Sequence, residues 1–228
     1  MVSAVIVAAG AGKRMGAGYN KVFMPLFGKT VLEQTAEVFL NCPEVDEVLI
    51  VMSKSEIESG KKLFENWHGI RFVCGGEMRA DSVKNGVLAA LGDYVLVHDG
   101  ARPLIELPVI QRAIKEAKRH RAAAVGVICK DTIKRLDPDG MIRTTINREE
   151  VIQIQTPQVF LKTLLLDAYQ KFPKERPTDE CGYLERMGIP VKLVLGSYEN
   201  LKLTTPEDLV IAEKILKRRE AHENRTGI

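Results

Sequence analysis

Three cations, Lys13, Arg14 and Lys21, lie within or beside a run of glycines at Gly10, Gly12, Gly16 and Gly18. The run follows an apolar stretch, residues 4–9, that reads as a buried parallel strand. Glycines let a backbone approach a ligand closely and aim successive amides at it. With the cations, this spacing points to a phosphate-binding loop at the C-terminal end of a strand. The plainer reading is a glycine-rich turn with solvated basic residues. A Walker A loop needs Gly-Lys-Ser/Thr after its spacer, and here Arg14 follows Lys13. A dinucleotide fingerprint needs Gly-x-Gly-x-x-Gly, and Met15 stands at the third glycine position.

Asp99 follows the short apolar run 94–97, so it belongs at the same end of the sheet as the glycine loop. An acid facing a phosphate loop suits a Mg²⁺ ion; otherwise it is a turn acid capping the next loop. Arg102 would hold a phosphate or brace Asp99. Gly75 and Gly76 end another short strand and precede Arg79 and Ser82. They offer a close-approach point for a base or ribose, or simply a helix entrance. Arg148, Thr156, Thr178 and Lys202 fall near the ends of predicted elements. Taken alone, each reads as structural. His98 sits beside Asp99, but no serine or cysteine elbow accompanies it, which argues against a nucleophilic triad.

The totals exclude several classes. A net charge of +3 and a pI near 8.6 make no demand for a nucleic-acid partner. Tyr19, Trp67 and Tyr183 form no stacking stripe. The four cysteines, Cys42, Cys74, Cys129 and Cys181, and the four histidines are scattered without zinc spacing. The cysteines read as buried free thiols in a reducing compartment. No run reaches signal-peptide or membrane-spanning length, so a soluble cytoplasmic protein is expected, with no membrane partner.

The elements that must position these residues alternate. Helices are expected over 30–40 (with Glu33 near a capping-box position), 55–67, 79–91, 108–121, 161–169 and 178–187, with a last one opening at Pro206. Strands are expected over 47–52, 71–74, 94–97, 123–128, 151–155 and 191–195. Val83, Val87, Leu88 and Leu91 are assigned to one helix face, Thr178 to a helix N-cap, and the tail from Ala221 to a frayed end. Such alternation implies an α/β, doubly wound, mostly parallel sheet that binds ligands beyond its C-terminal strand ends. The rhythm breaks at 132–136 and 141–146, two alternating runs around Asp137-Pro138-Asp139-Gly140, which is a β-hairpin signal. A hairpin of this length cannot bury its apolar face alone, so it packs on a second subunit or folds over the site.

Taken together the motifs resemble one family, the 2-C-methyl-D-erythritol 4-phosphate cytidylyltransferases of non-mevalonate isoprenoid biosynthesis. They are Ala8-Ala9-Gly10-x-Gly12-x-Arg14-Met15, Gly75-Gly76-x-x-Arg79-x-x-Ser82-Val83, His98-Asp99-x-Ala101-Arg102-Pro103 and Asp131-Thr132-Ile133-Lys134. Arg148, Thr156-Pro157-Gln158, Thr178-Asp179-Glu180 and Asn200-x-Lys202-x-Thr204-x-Pro206-Glu207-Asp208 complete the set. The likeness runs almost the full chain. It implies a Rossmann-like nucleotidyltransferase sheet in a single domain, 1–228, with residues 131–150 as a β-arm for dimerisation. It also implies that CTP and methylerythritol phosphate are joined into a CDP-alcohol with release of pyrophosphate.

By that resemblance Ala8, Ala9, Gly10, Gly12, Gly75, Gly76 and Ser82 would bind the nucleotide, and Asp99 would hold Mg²⁺. Arg14 and Lys21 would clamp the phosphates as catalytic cations, with Arg148 and Lys202. Arg102, Thr132, Arg148, Thr156, Thr178 and Lys202 would surround the methylerythritol phosphate. Thr132 and Arg148, carried on the arm, would complete the site of the second subunit in a homodimer. Two positions depart from the family pattern. Asn20 precedes Lys21 where the family usually has proline, which removes a stiffening ring from the loop. Gly100 stands where alanine is common, and would loosen that turn. The rival readings are a cytidylyltransferase for another polyol phosphate such as ribitol 5-phosphate, and a non-catalytic nucleotide-binding module.

Overall fold

The computed structural model describes residues 1–10 and 20–226, with side chains described as far as His222. Seven strands form the central sheet: β1 (Val2–Val7), β4 (Glu47–Met52), β5 (Ile70–Cys74), β6 (Tyr94–Asp99), β7 (Ala122–Ile128), β10 (Ile152–Leu161) and β11 (Lys192–Leu195). Their spatial order is β11-β7-β10-β6-β1-β4-β5. β10 runs antiparallel to both neighbours, and the other strands share one direction. β1 and β4 read as continuous apolar runs because both faces of the sheet are covered. In β1, Ala4 and Ile6 join one core while Val5 joins the other.

One core packs α1 (Val31–Leu40) and α4 (Leu107–His120) on the sheet through Leu32, Phe39, Ile110 and Ile114. α2 (Ile57–Leu63) lies on the same side and is shorter than the polar 55–67 segment expected. The other core packs α3 (Arg79–Ala89), α5 (Lys162–Lys171) and α6 (Cys181–Arg186) through Val83, Val87, Leu165 and Leu184. A two-stranded ribbon, β2 (Pro25–Leu26) with β3 (Lys29–Thr30), joins α7 (Pro206–Thr226) around Leu26, Val31, Leu104 and Leu203. No helix among the described residues is long and apolar enough to cross a membrane.

The expected capping box is present: Thr30 Oγ1 accepts the Glu33 N–H while Glu33 Oε2 accepts the Thr30 N–H. Other expectations need correction. Leu88 and Leu91 do not share the face of Val83 and Val87: Leu88, inside α3, is turned to solvent, and Leu91 lies beyond the helix end at Ala89. α6 starts at Cys181, and the acceptor at its entrance is Asp179, whose Oδ1 takes the Gly182 N–H at 3.2 Å. Thr178 is exposed and is not the cap. The strand expected over 151–155 continues through Pro157 to Leu161, because a bulge between Ile154 and Gln158 accommodates the proline. The last helix continues to Thr226 rather than fraying from Ala221.

The hairpin is where the alternation put it, as β8 (Ile133–Leu136) and β9 (Ile142–Ile146), closed by a turn with Gly140 at φ +82°. Asp137 holds the turn by accepting the Asp139 and Met141 N–H groups. Leu136, Met141 and Ile142 are more than half exposed on this arm.

Candidate active site

Register places the first two site segments side by side. Val7 pairs with Val51 on one side and Asp99 on the other, so the loop after β1 emerges between the ends of β4 and β6. Ala8 is buried and its N–H donates to Val51 O. Gly75 meets this segment from β5: a Cβ built on it would lie 2.8 Å from Ala9 Cβ and 2.8 Å from Ser82 Oγ. The absence of a side chain at Gly75 therefore sets how closely the two turns approach. Ser82 Oγ accepts the Gly76 N–H at 3.1 Å, which secures the turn to α3. Gly10 is exposed at the mouth. Gly12 and Arg14 lie outside the described residues.

Asp99 gathers three cations. Its Oδ2 lies 2.9 Å from Lys202 Nζ and 3.4 Å from Arg102 Nε, and its Oδ1 lies 3.3 Å from Arg79 Nε. Burial by itself would raise this carboxyl, but Lys202, Arg79 and Arg102 outweigh it and hold it well below the usual carboxylate range. Arg79 also donates to both oxygens of Glu180, at 3.1 and 3.2 Å, and Glu180 is 1% exposed. Burial raises the Glu180 carboxyl, with Arg79 opposing. Three cations against two carboxylates leave the cluster with surplus positive charge, as a site for a polyanion needs.

His98 supports this cluster from beneath. It is fully buried, its ring lies 4.8 Å from that of Phe39, and burial pushes its pKa down to about 4. Nε2 is 3.1 Å from the Arg102 carbonyl, which can only accept, so Nε2 carries the proton. Nδ1 then accepts from the Thr156 hydroxyl at 3.0 Å, and that hydroxyl accepts the Asp99 N–H at 3.1 Å. The chain from Arg102 through His98 and Thr156 to Asp99 fixes the end of β6 against β10. Asn200 closes the other side: its Nδ2 donates to Thr156 O at 2.9 Å, and its own carbonyl accepts from Arg102 Nη1 at 2.7 Å.

The structure thus brings Asp99, Arg102, Thr156 and Lys202 together, and packs the Ala8–Ala9 and Gly75–Ser82 turns beside them. Thr132 and Arg148 are exposed at the base of the arm, where Arg148 donates to Lys130 O. Thr178 is exposed next to Asp179, which Gln158 grips at 2.8 Å. Arg79, Glu180, His98 and Asn200 are the members of the cluster to which sequence reasoning gave no role in the site. Each sits inside a motif of the sequence, but only its contacts distinguish it from a helix or strand residue.

Gly100 does more than loosen a turn. A Cβ there would lie 3.1 Å from Val7 O and 3.3 Å from Ala8 Cβ, so glycine admits the loop after β6 close to β1. Asn20 likewise replaces the expected proline with contacts. It is 3% exposed, its Nδ2 donates to Ala8 O at 2.7 Å, and its Oδ1 accepts the Val22 N–H at 3.3 Å. Lys21 follows, at the start of a 3-10 turn.

A mostly parallel, doubly wound sheet with one reversed strand and these turns beyond its strand ends defines a Rossmann-like nucleotidyltransferase fold. Residues 2–218 match the family model described as 2-C-methyl-D-erythritol 4-phosphate cytidylyltransferase, and the chain belongs to that family. Two curated relatives carry the same name. The one from Dehalococcoides mccartyi is 43% identical over 222 residues, covering 95% of this chain and 96% of the relative. The one from Caldanaerobacter subterraneus is 44% identical over 225 residues, covering 95% and 99%. Among solved structures, a 4-diphosphocytidyl-2C-methyl-D-erythritol synthase from Anaerococcus prevotii superposes with a TM-score of 0.85 at 33% identity, covering 95% of this chain and 98% of that one. The Thermus thermophilus 2-C-methyl-D-erythritol 4-phosphate cytidylyltransferase gives 0.77 at 29%, covering 95% and 100%.

Proposed function

We propose that the chain transfers the cytidylyl group of CTP to 2-C-methyl-D-erythritol 4-phosphate, forming 4-diphosphocytidyl-2-C-methyl-D-erythritol and pyrophosphate. The observation that carries the reading is the convergence of Lys202, Arg102 and Arg79 on Asp99, in a chain of this family. An oxygen of the acceptor phosphate attacks the α-phosphorus, a P–O bond forms, and the bond to the β-phosphate breaks. The electron pair leaves on pyrophosphate. The attacking oxygen is already anionic near neutral pH, so no protein base or covalent nucleophile is required. The task is to hold two polyanions together and offset the charge that builds at phosphorus.

The turns at Ala8–Gly10 and Gly75–Ser82 cradle the nucleotide, and Arg14 and Lys21 bracket its phosphates. Lys202, Arg102 and Thr178 receive the acceptor phosphate and its polyol, and Thr156, whose one O–H goes to His98, serves that pocket as an acceptor from a polyol hydroxyl. Asp99 would hold Mg²⁺ as a single carboxylate, in competition with the Lys202, Arg102 and Arg79 cations that contact its two oxygens. It is a hard oxygen donor, and the described residues hold no group of three or more metal-binding side chains. Mg²⁺ characteristically takes one or two carboxylates and completes its shell with phosphate and water. When bound it would supply charge neutralisation on the nucleotide phosphates.

The arm fits a dimer. Its exposed Leu136, Met141 and Ile142 need a partner surface, and a second copy would receive Thr132 and Arg148 beside its acceptor site. Residues 131–150 then act as an assembly subdomain of a single catalytic domain spanning 1–228. Free, mostly buried cysteines agree with a cytoplasmic location. The deciding experiment is pyrophosphate release with CTP, Mg²⁺ and each acceptor. Release with methylerythritol phosphate alone is expected. Release with ribitol 5-phosphate alone would replace the acceptor, and no release with either would leave a nucleotide-binding module.

A further inference from the structure

We infer that Asn20 and Glu56 form a positioning pair that sets Lys21 at the phosphate site; this rests on the reading of Lys21 as a phosphate clamp. The buried amide of Asn20 reaches three elements. Its Nδ2 donates to the carbonyl of Ala8, one residue beyond the β1 position that pairs with Asp99, and also to Glu56 Oε2 at 3.2 Å. Its Oδ1 accepts the Val22 N–H and so caps the 3-10 turn over Lys21–Phe23. Glu56 stands just before α2, and its Oε2 also accepts from Ser53 Oγ at 2.6 Å in the loop after β4. One carboxylate oxygen thereby ties the loop beyond β4 to the residue before Lys21.

The placement has a mechanistic consequence. The backbone of Lys21 is held at both sides, by Asn20 before it and by the Met24 N–H bonded to its carbonyl after it. A lysine side chain keeps several rotatable bonds, so a fixed backbone origin reduces the freedom lost when its ammonium engages the charge forming at phosphorus. Losing the pair should therefore lower kcat more than it changes the KM for either substrate. Asn20 has φ −68° and ψ 123°, a conformation that proline adopts without strain. A proline there should restore the backbone constraint without the side-chain bonds.

The test compares kcat, both KM values and thermal midpoints for Lys21→Ala, Asn20→Ala, Glu56→Ala, the Asn20→Ala/Glu56→Ala double variant and Asn20→Pro. Expected are a loss in kcat of about fivefold or more for Asn20→Ala, a loss of similar size for Glu56→Ala, and a double variant no slower than about twofold below the worse single one. Asn20→Pro should regain most of the rate. An unchanged kcat in Asn20→Ala while Lys21→Ala is impaired overturns the positioning role, as does multiplicative loss in the double variant or a proline variant as slow as the alanine one. An unimpaired Lys21→Ala overturns the reading of Lys21 itself. A lowered midpoint with normal kcat marks the pair as merely structural and refutes the inference.

Discussion

Removing Arg79 should strand one specific charge. Asp99 keeps Arg102 and Lys202 when Arg79 is replaced by alanine. Glu180 has only Arg79 among its described cation partners, and its side chain is 1% exposed. Breaking a buried pair by removing one partner costs about 3–5 kcal/mol. Arg79 is itself 30% exposed, so water enters the gap readily, and about 3 kcal/mol is the expected loss. A stranded carboxylate escapes by taking a proton. Burial already raises the Glu180 carboxyl, and without Arg79 it rises further. A raised folded-state pKa means that stability is retained below the unfolded value and lost as pH rises through the folded one. Urea unfolding at about pH 7.5 should therefore show the full loss, and at about pH 5.5 a loss smaller by at least ~1 kcal/mol. Adding Glu180→Gln removes the charge and should recover about 1–2 kcal/mol at the higher pH. Equal losses at both pH values, with no recovery in the double variant, would refute the argument that Glu180 depends on this one cation.

Three further outcomes follow from the same geometry. His98 is buried neutral with its pKa pushed down to about 4, so the folded state binds fewer protons than the unfolded one; stability should fall as pH drops from about 6.5 towards 4, a slope that His98→Gln flattens in acid unfolding curves. Gly75→Ala forces a methyl group to 2.8 Å from Ala9 Cβ and 3.2 Å from Met52 O; about 1–3 kcal/mol of overpacking cost should appear in thermal unfolding, with weaker CTP binding by calorimetry. Deleting residues 132–146 should convert a dimer into a monomer by light scattering, because it removes the exposed Leu136, Met141 and Ile142; a deletion variant that remains dimeric would place the main interface elsewhere.

The central sheet was legible because its signals are local. Residues 4–7, 48–52 and 95–97 are apolar on both faces, which only a covered parallel strand requires. The arm was legible from alternation around a Pro-Asp-Gly turn. The reversed strand β10 was only half legible: a proline reads as a breaker, and only pairing with both β6 and β7 lets the strand pass it through a bulge. Leu91 was misplaced because periodicity does not mark the helix end at Ala89, and Leu88 because, one residue on from Val87, it is turned about 100° away from that buried position. Thr178 was misplaced because the cap depends on which oxygen reaches the Gly182 N–H, and Asp179 does.

By itself the sequence determined the family, the fold class and the identity of the cations and glycines, since these rest on residue type and spacing. Tertiary structure decided which charges share a partner. Asp99 and Lys202 are far apart in the chain, as are Arg79 and Glu180, and only the order of strands brings them within hydrogen-bond reach. The same holds for Asn20. Its type marked it as a missing proline, and its burial against Ala8 and Glu56 made it a brace. Spacing is a one-dimensional property, whereas electrostatic coupling falls with distance through space and strengthens with burial, which the chain acquires only on folding.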